Sequence, residues 1–286
     1  MASNKTVRVI VAAIGIPVAA SVVYVGGWLL AALLALFGAV GAVELYRMGG
    51  LGGLRPLTLL GTVGAAACPL ATFALLPAGG GMAAGWLVAG AAGWLMLTMS
   101  TAAFTRTAAD RPLGSVGVTL LGVVYAGALP AFLLPLRHAP DLASGLAGMA
   151  LVFLPLVTVW VCDSLAMEVG SRLGGPKLAP KLSPKKTWSG AIGGTIGGMI
   201  AAPVYGLAVL DRVEVVLTPW QLVVFGLLVS IVGQVGDVTE SVFKREAGVK
   251  DSGTFFPGHG GVLDSLDSLY WVLPVATGFL AIVGVL

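Results

Sequence analysis

The stretch LAGMALVFLPLVTVWVCDSLAMEV, residues Leu146–Val169, decides the fold. It supplies the ~20 apolar residues that a helix needs to cross a bilayer, and no charge appears in it before Asp163. In hydrocarbon every backbone polar group must be bonded within the segment, so such a stretch reads as a membrane helix. Eight further segments read the same way: Val7–Val25, Trp28–Leu45, Leu57–Leu76, Met82–Met99, Leu113–Leu136, Trp188–Leu210, Pro219–Glu240 and Asp264–Leu286. The expectation is an all-α polytopic integral membrane protein with about nine transmembrane helices. The basic start and apolar run at Met1–Val25 read as a first spanning helix rather than a signal peptide.

Composition agrees. Of 286 residues, 57% are hydrophobic and 10% charged, against about 25% charged in a soluble domain. The mean hydropathy is +0.98. A net charge of +3 gives no ground for nucleic-acid binding; the placement of the charges says more. With the N-terminus cytoplasmic, 14 of the 16 basic residues fall on the cytoplasmic side, Lys5, Arg8 and Lys181 among them. Only Arg137 and Arg212 face the far side, where the C-terminus also lies. Positive-inside bias asks for this distribution. Cys68 and Cys162, both in apolar surroundings, read as core residues rather than a disulfide pair.

The two halves differ. Residues 1–145 read as a transmembrane scaffold offering dimer or lipid contacts. Residues 146–286 hold two long polar cytoplasmic loops, 170–187 and 241–263, and read as the catalytic region of one structural domain.

Three helices bring carboxylates to the cytoplasmic end: Asp163, Asp237, and the pair Asp264 and Asp267 at i, i+3. If the helix carrying Asp237 continues, Ser241 and Lys244 share its face and Gln234 flanks it. Carboxylates near a bilayer are costly and mark function, and converging oxygens suit Mg²⁺. The plainer reading is pairing with nearby lysines, or capping of a helix by Asp264. In Pro180–Thr187, lysines and hydroxyls precede a helix, where free N–H groups favour phosphate. Acidic lipid headgroups would serve such a patch equally well. The glycines of Lys250–Gly261 allow close approach of a ligand, and His259 stands between two of them. Carboxylates, lysines and a glycine-rich loop are the parts that phosphoryl or nucleotidyl transfer needs.

The run SVFKREAGVKDSGTFFPGHGGVLDSLD, Ser241–Asp267, closely resembles the signature of the phosphatidate cytidylyltransferases, or CDP-diacylglycerol synthases. Gly236-Asp237, SPKKTWSG at Ser183–Gly190, and Asp163 with the glycine-rich stretch after it are similar to that family too. The resemblance covers about residues 160–275. It implies that CTP and phosphatidate give CDP-diacylglycerol and pyrophosphate. It implies Mg²⁺, possible K⁺ as a second cation, a homodimer, and a bacterial inner membrane with the active site facing the cytoplasm. It implies Asp237 and Asp264 as Mg²⁺ ligands with Asp267 and Asp163 in the metal set, and Asp251, Asp267 and Lys250 as catalytic support. It implies Ser183, Lys185, Lys186, Thr187, Ser241, Lys244, Arg245, Lys250, His259, Gly260 and Gly261 as substrate contacts. Ser265 stands where the family pattern usually has Arg, and Ser189 where it usually has an acid. A CTP-dependent lipid-alcohol kinase, a cation-coupled transporter and an inactive scaffold are the competing readings.

Overall fold

The computed structural model describes residues 4–78, 80–139, 142, 144–180 and 182–286, with side chains from residue 11 onward except at 12, 78 and 80. Lys181 and the side chains of Lys5 and Arg8 lie outside the described residues.

The protein is an all-α polytopic membrane protein. Its helices are α1 (Asn4–Val25), α2 (Gly27–Leu51), α3 (Thr58–Leu75), α4 (Gly80–Thr105), α5 (Pro112–Arg137), α6 (Gly145–Leu173), α7 (Trp188–Val213), α8 (Pro219–Glu246) and α9 (Val262–Ile282). Among the described residues eight helices, α2 to α9, are long and apolar enough to cross a membrane. The described apolar part of α1 is the shorter Ala13–Val25. A π-helical stretch, Val123–Ala128, interrupts α5.

One segment expected as loop is ordered differently. Lys177–Ala179 (β1) and Ser183–Thr187 (β2) form an antiparallel hairpin, with Lys177 opposite Thr187 and Ala179 opposite Ser183. Conversely, α8 continues through Glu246, so Ser241, Lys244 and Arg245 are helical.

The chain forms two compact units. One comprises Met1–Leu134 and Phe243–Ser265, the other Pro135–Val242 and Leu266–Leu286. In the first, α2 packs on α3 and α5. Tyr46 of α2 is buried there, and its hydroxyl donates to the Thr119 carbonyl at 2.7 Å.

In the second unit α7 packs closely on α6. A Cβ at Gly194 would stand 2.7 Å from the Cys162 carbonyl oxygen, and one at Gly190 would stand 2.5 Å from that of Ala166. Small residues let backbones approach where lipid offers no hydrophobic drive between helices. The opposite side of α7 exposes Ile192, Ile196, Ile200 and Val204 in one i, i+4 row, the face of a helix that meets lipid.

Candidate active site

Each unit brings together some of the charged residues singled out in the sequence. In the first, α8 ends in a Schellman turn: Val249 N–H donates to the Lys244 carbonyl at 2.9 Å and Gly248 N–H to that of Arg245 at 3.1 Å. Gly248 supplies the φ of +70° that this turn requires. The chain then runs through Lys250–Gly261 and enters α9. Here Asp264 is the convergence point. Its Oδ1 accepts from Lys244 Nζ at 2.7 Å. Its Oδ2 accepts from Ser252 N at 2.7 Å, Ser252 Oγ at 2.9 Å and Gly261 N at 2.9 Å. The last bond is half of a capping box, in which the third helical residue reaches back to the N-cap amide.

Phe255 and Phe256 pack edge-on to Phe37 of α2, with ring centroids 6.2 and 5.9 Å away. Beside the loop lies a cleft of about 260 Å³ lined by Arg47, Leu51, Lys250, Asp251, Ser252 and Thr254. Arg245 donates to the Val249 carbonyl at 3.0 Å. His259 is exposed at a tight turn, its backbone N–H donating to the Phe256 carbonyl at 2.9 Å.

The second cluster rests on the hairpin. Side chains alternate along a strand, so consecutive Lys185 and Lys186 point to opposite faces of β2. Lys186 Nζ lies 2.5 Å from Asp237 Oδ2, and Lys185 is exposed. Asp163 on α6 is close enough to feel both Asp237 and Lys186 electrostatically. Thr187 caps α7, its Oγ1 accepting from Gly190 N at 3.1 Å. The Ser189 hydroxyl bonds to the Gly174 carbonyl, fastening the base of the hairpin. Gln234 donates to Thr195 Oγ1 at 3.1 Å and Ala191 O at 3.3 Å, orienting the helix that carries Asp237. Asp267 accepts from Ser268 N at 2.6 Å.

The sequence residues are thus brought together in two sets, Lys244 with Ser252, Gly261 and Asp264, and Asp163 with Lys186 and Asp237. Asp237, Ser241 and Lys244 do fall on one face of α8, because the helix continues. Among the described residues there is no group of three or more His, Cys, Asp or Glu side chains placed to hold a metal. Ser183, Lys185, Arg245, Lys250, Asp251 and His259 belong to neither set.

Two residues of the first cluster, Ser252 and Glu44, are not among those that the sequence motifs single out. Glu44 of α2, 7% exposed, accepts from Ser252 Oγ, Val262 N and Leu263 N, each at 3.0 Å. An acid at the end of an apolar helix was the available signal.

The profile of the Cytidylyltransferase family matches residues 6–283. A phosphatidate cytidylyltransferase of Synechocystis is 30% identical over 307 aligned positions, covering 97% of each chain. That of Bacillus subtilis is 30% identical over 58% of this chain and 59% of its own. That of Staphylococcus haemolyticus is 34% identical over 45% of this chain and 48% of its own.

Proposed function

The chain belongs to the cytidylyltransferase family, a nucleotidyltransferase family, and from that premise we infer that it makes CDP-diacylglycerol from CTP and phosphatidate. A phosphatidate phosphate oxygen attacks the α-phosphorus of CTP. The new P–O bond forms there as the bond to the β-phosphate oxygen breaks, and pyrophosphate leaves. The attacking phosphate is already ionised, so the reaction calls for charge neutralisation and alignment more than for a strong base.

The observation that carries this reading is the Lys186–Asp237 pair with Asp163 beside it. Mg²⁺ typically takes one or two carboxylates together with substrate phosphates, so Asp163 and Asp237 fit it. Mg²⁺ bound there would offset phosphate charge and polarise the α-phosphoryl group. Lys186 screens the two carboxylates and turns to a phosphate when substrate enters. In the other cluster Asp264 holds the Lys244 ammonium ready for a phosphate. With Lys244 engaged by a phosphate, Asp264 would be a further carboxylate able to hold a cation, and Asp267 would be another within the second unit. Lys185, Arg245 and Lys250 add positive charge for phosphates. Ser183, Thr187, Ser241 and His259 offer hydroxyl or imidazole groups, Gly260 and Gly261 let a ligand approach the backbone closely, and Asp251 lines the cleft beside Lys250.

The excess of basic residues in the loops supports a site facing the cytoplasm across a bacterial inner membrane. K⁺ as a second cation and a homodimer belong to the same reading. The test is turnover of purified protein in detergent with CTP, phosphatidate and Mg²⁺. Lipid-bound CMP and pyrophosphate support the reading. CDP with a phosphorylated lipid alcohol, in a parallel reaction supplied with one, would replace it by the kinase.

A further inference from the structure

Glu44 is the single acid of α2, and burying a carboxylate beside the bilayer is expensive unless its oxygens are satisfied. Its partners are neutral donors from one short region. Oε1 accepts from Val262 N, and Oε2 accepts from Leu263 N and Ser252 Oγ. Val262 and Leu263 open α9, so their amides have no partner within the helix. A negative charge there also meets the positive end of the helix dipole.

Ser252 makes the link to the charged cluster. Its hydroxyl stands 3.0 Å from Glu44 Oε2 and 2.9 Å from Asp264 Oδ2. It has one proton, so it serves one carboxylate at a time while its backbone N–H stays on Asp264.

Two loop glycines have the same origin. A Cβ on Gly253 would collide with the Glu44 carboxylate, and one on Gly261 with that carboxylate and the Ser252 hydroxyl. The loop wraps Glu44 tightly enough to exclude a methyl group at either position.

We propose that Glu44 is a positioning residue for nucleotidyl transfer. It acts through Ser252 and the start of α9 to hold Asp264, and through Asp264 the Lys244 ammonium, where a substrate phosphate needs it. This rests on the function inferred above, and it gives the N-terminal half a part in the chemistry.

The test is Glu44→Gln in the full-length protein. The amide keeps the shape but presents N–H groups to one set of donors, so at least one loop donor loses its acceptor. The expected results are a fall in kcat of at least about tenfold and faster amide hydrogen exchange in the peptide spanning 250–263. In an Asp264→Asn background the same change is expected to cost less than about threefold, because both act along one chain of contacts. A merely structural role would lower the melting temperature and the active fraction while leaving kcat per folded molecule and this non-additivity unmoved. Turnover within twofold of the parent, unchanged exchange, or a loss that multiplies with that of Asp264→Asn overturns the proposal. Absence of transfer by the parent protein would sink the function reading separately, and the exchange experiment would still decide whether Glu44 holds the loop. If Glu44→Gln does not fold, Ser252→Ala, which cuts the link and leaves the carboxylate, is judged by the same criteria.

Discussion

The ammonium of Lys244 lies 2.7 Å from Oδ1 of Asp264, with only 12% and 7% of the two side chains exposed. The pair joins the last turn of α8 to the first turn of α9 and closes the loop between them.

Removing the charge from this pair is expected to be costly. Truncating one side of a buried pair costs about 3–5 kcal/mol in general. Asp264→Asn retains an oxygen for some of the donors, so about 2 kcal/mol is expected. Thermal unfolding in detergent is predicted to shift down by several degrees. Turnover is predicted to fall roughly 30-fold, as that energy implies if it is felt in the transition state. An unchanged melting temperature would show that the clasp does not hold the loop.

Adjacent lysines are expected to behave differently. Lys186 faces Asp237 and Asp163, whereas Lys185 points away and is exposed. Lys186→Ala is predicted to lower turnover by roughly 30-fold, or about 2 kcal/mol. Lys185→Ala is predicted to act only a few-fold, mainly on KM and in a salt-dependent way, as screened surface charges do. Steady-state kinetics of the two variants at two ionic strengths checks this, and equal losses would contradict the alternation of the strand.

Part of this was legible in sequence and part was not. The apolar segments stood out because hydrocarbon tolerates few charges, and the shared face of Asp237, Ser241 and Lys244 followed from helical period alone. The β2 strand is not legible locally, because Ser183-Pro-Lys-Lys-Thr187 has little strand propensity; pairing with Lys177–Ala179 imposes the form. That alternation, invisible in a basic run, separates Lys185 from Lys186. Glu44 is the only acid among the apolar residues of α2, and its partners lie more than 200 positions away in sequence, so no local pattern marks it. Assignment of Asp163 and Asp237 to one cluster and Asp264 to another is likewise a tertiary fact.

A metal requirement is expected to map onto the Asp163–Asp237 set. Replacing either by Asn is predicted to raise the Mg²⁺ concentration for half-maximal turnover by about tenfold, or ~1.4 kcal/mol of binding. Chelation is predicted to abolish parent turnover, and readdition of Mg²⁺ to restore it. A Mg²⁺ titration of both variants checks this. Unchanged half-saturation in both would remove these carboxylates from the metal site.

Asp110 provides a pH signature away from the site. The Thr107 backbone N–H and hydroxyl, at 2.9 and 3.0 Å, hold its carboxyl below the usual range, helped by the charges of Arg55 and Arg106. A depressed folded-state pKa contributes stability that is fully present above the unfolded value of about 3.9 and is lost as pH falls through the folded one. The melting-temperature gap between the parent and Asp110→Asn is therefore predicted to be equal at pH 7 and pH 5.5. It is predicted to close progressively below pH ~4. A gap that widens in acid would contradict the assignment.

The most direct test of the central claim follows the label of each CTP phosphate. CTP labelled at the α-phosphorus, and separately at the γ-phosphorus, is given to purified protein with phosphatidate and Mg²⁺. Nucleotidyl transfer predicts α-label in the lipid product and γ-label in pyrophosphate. Transfer of γ-label to lipid, or none of either label from folded protein, would contradict it.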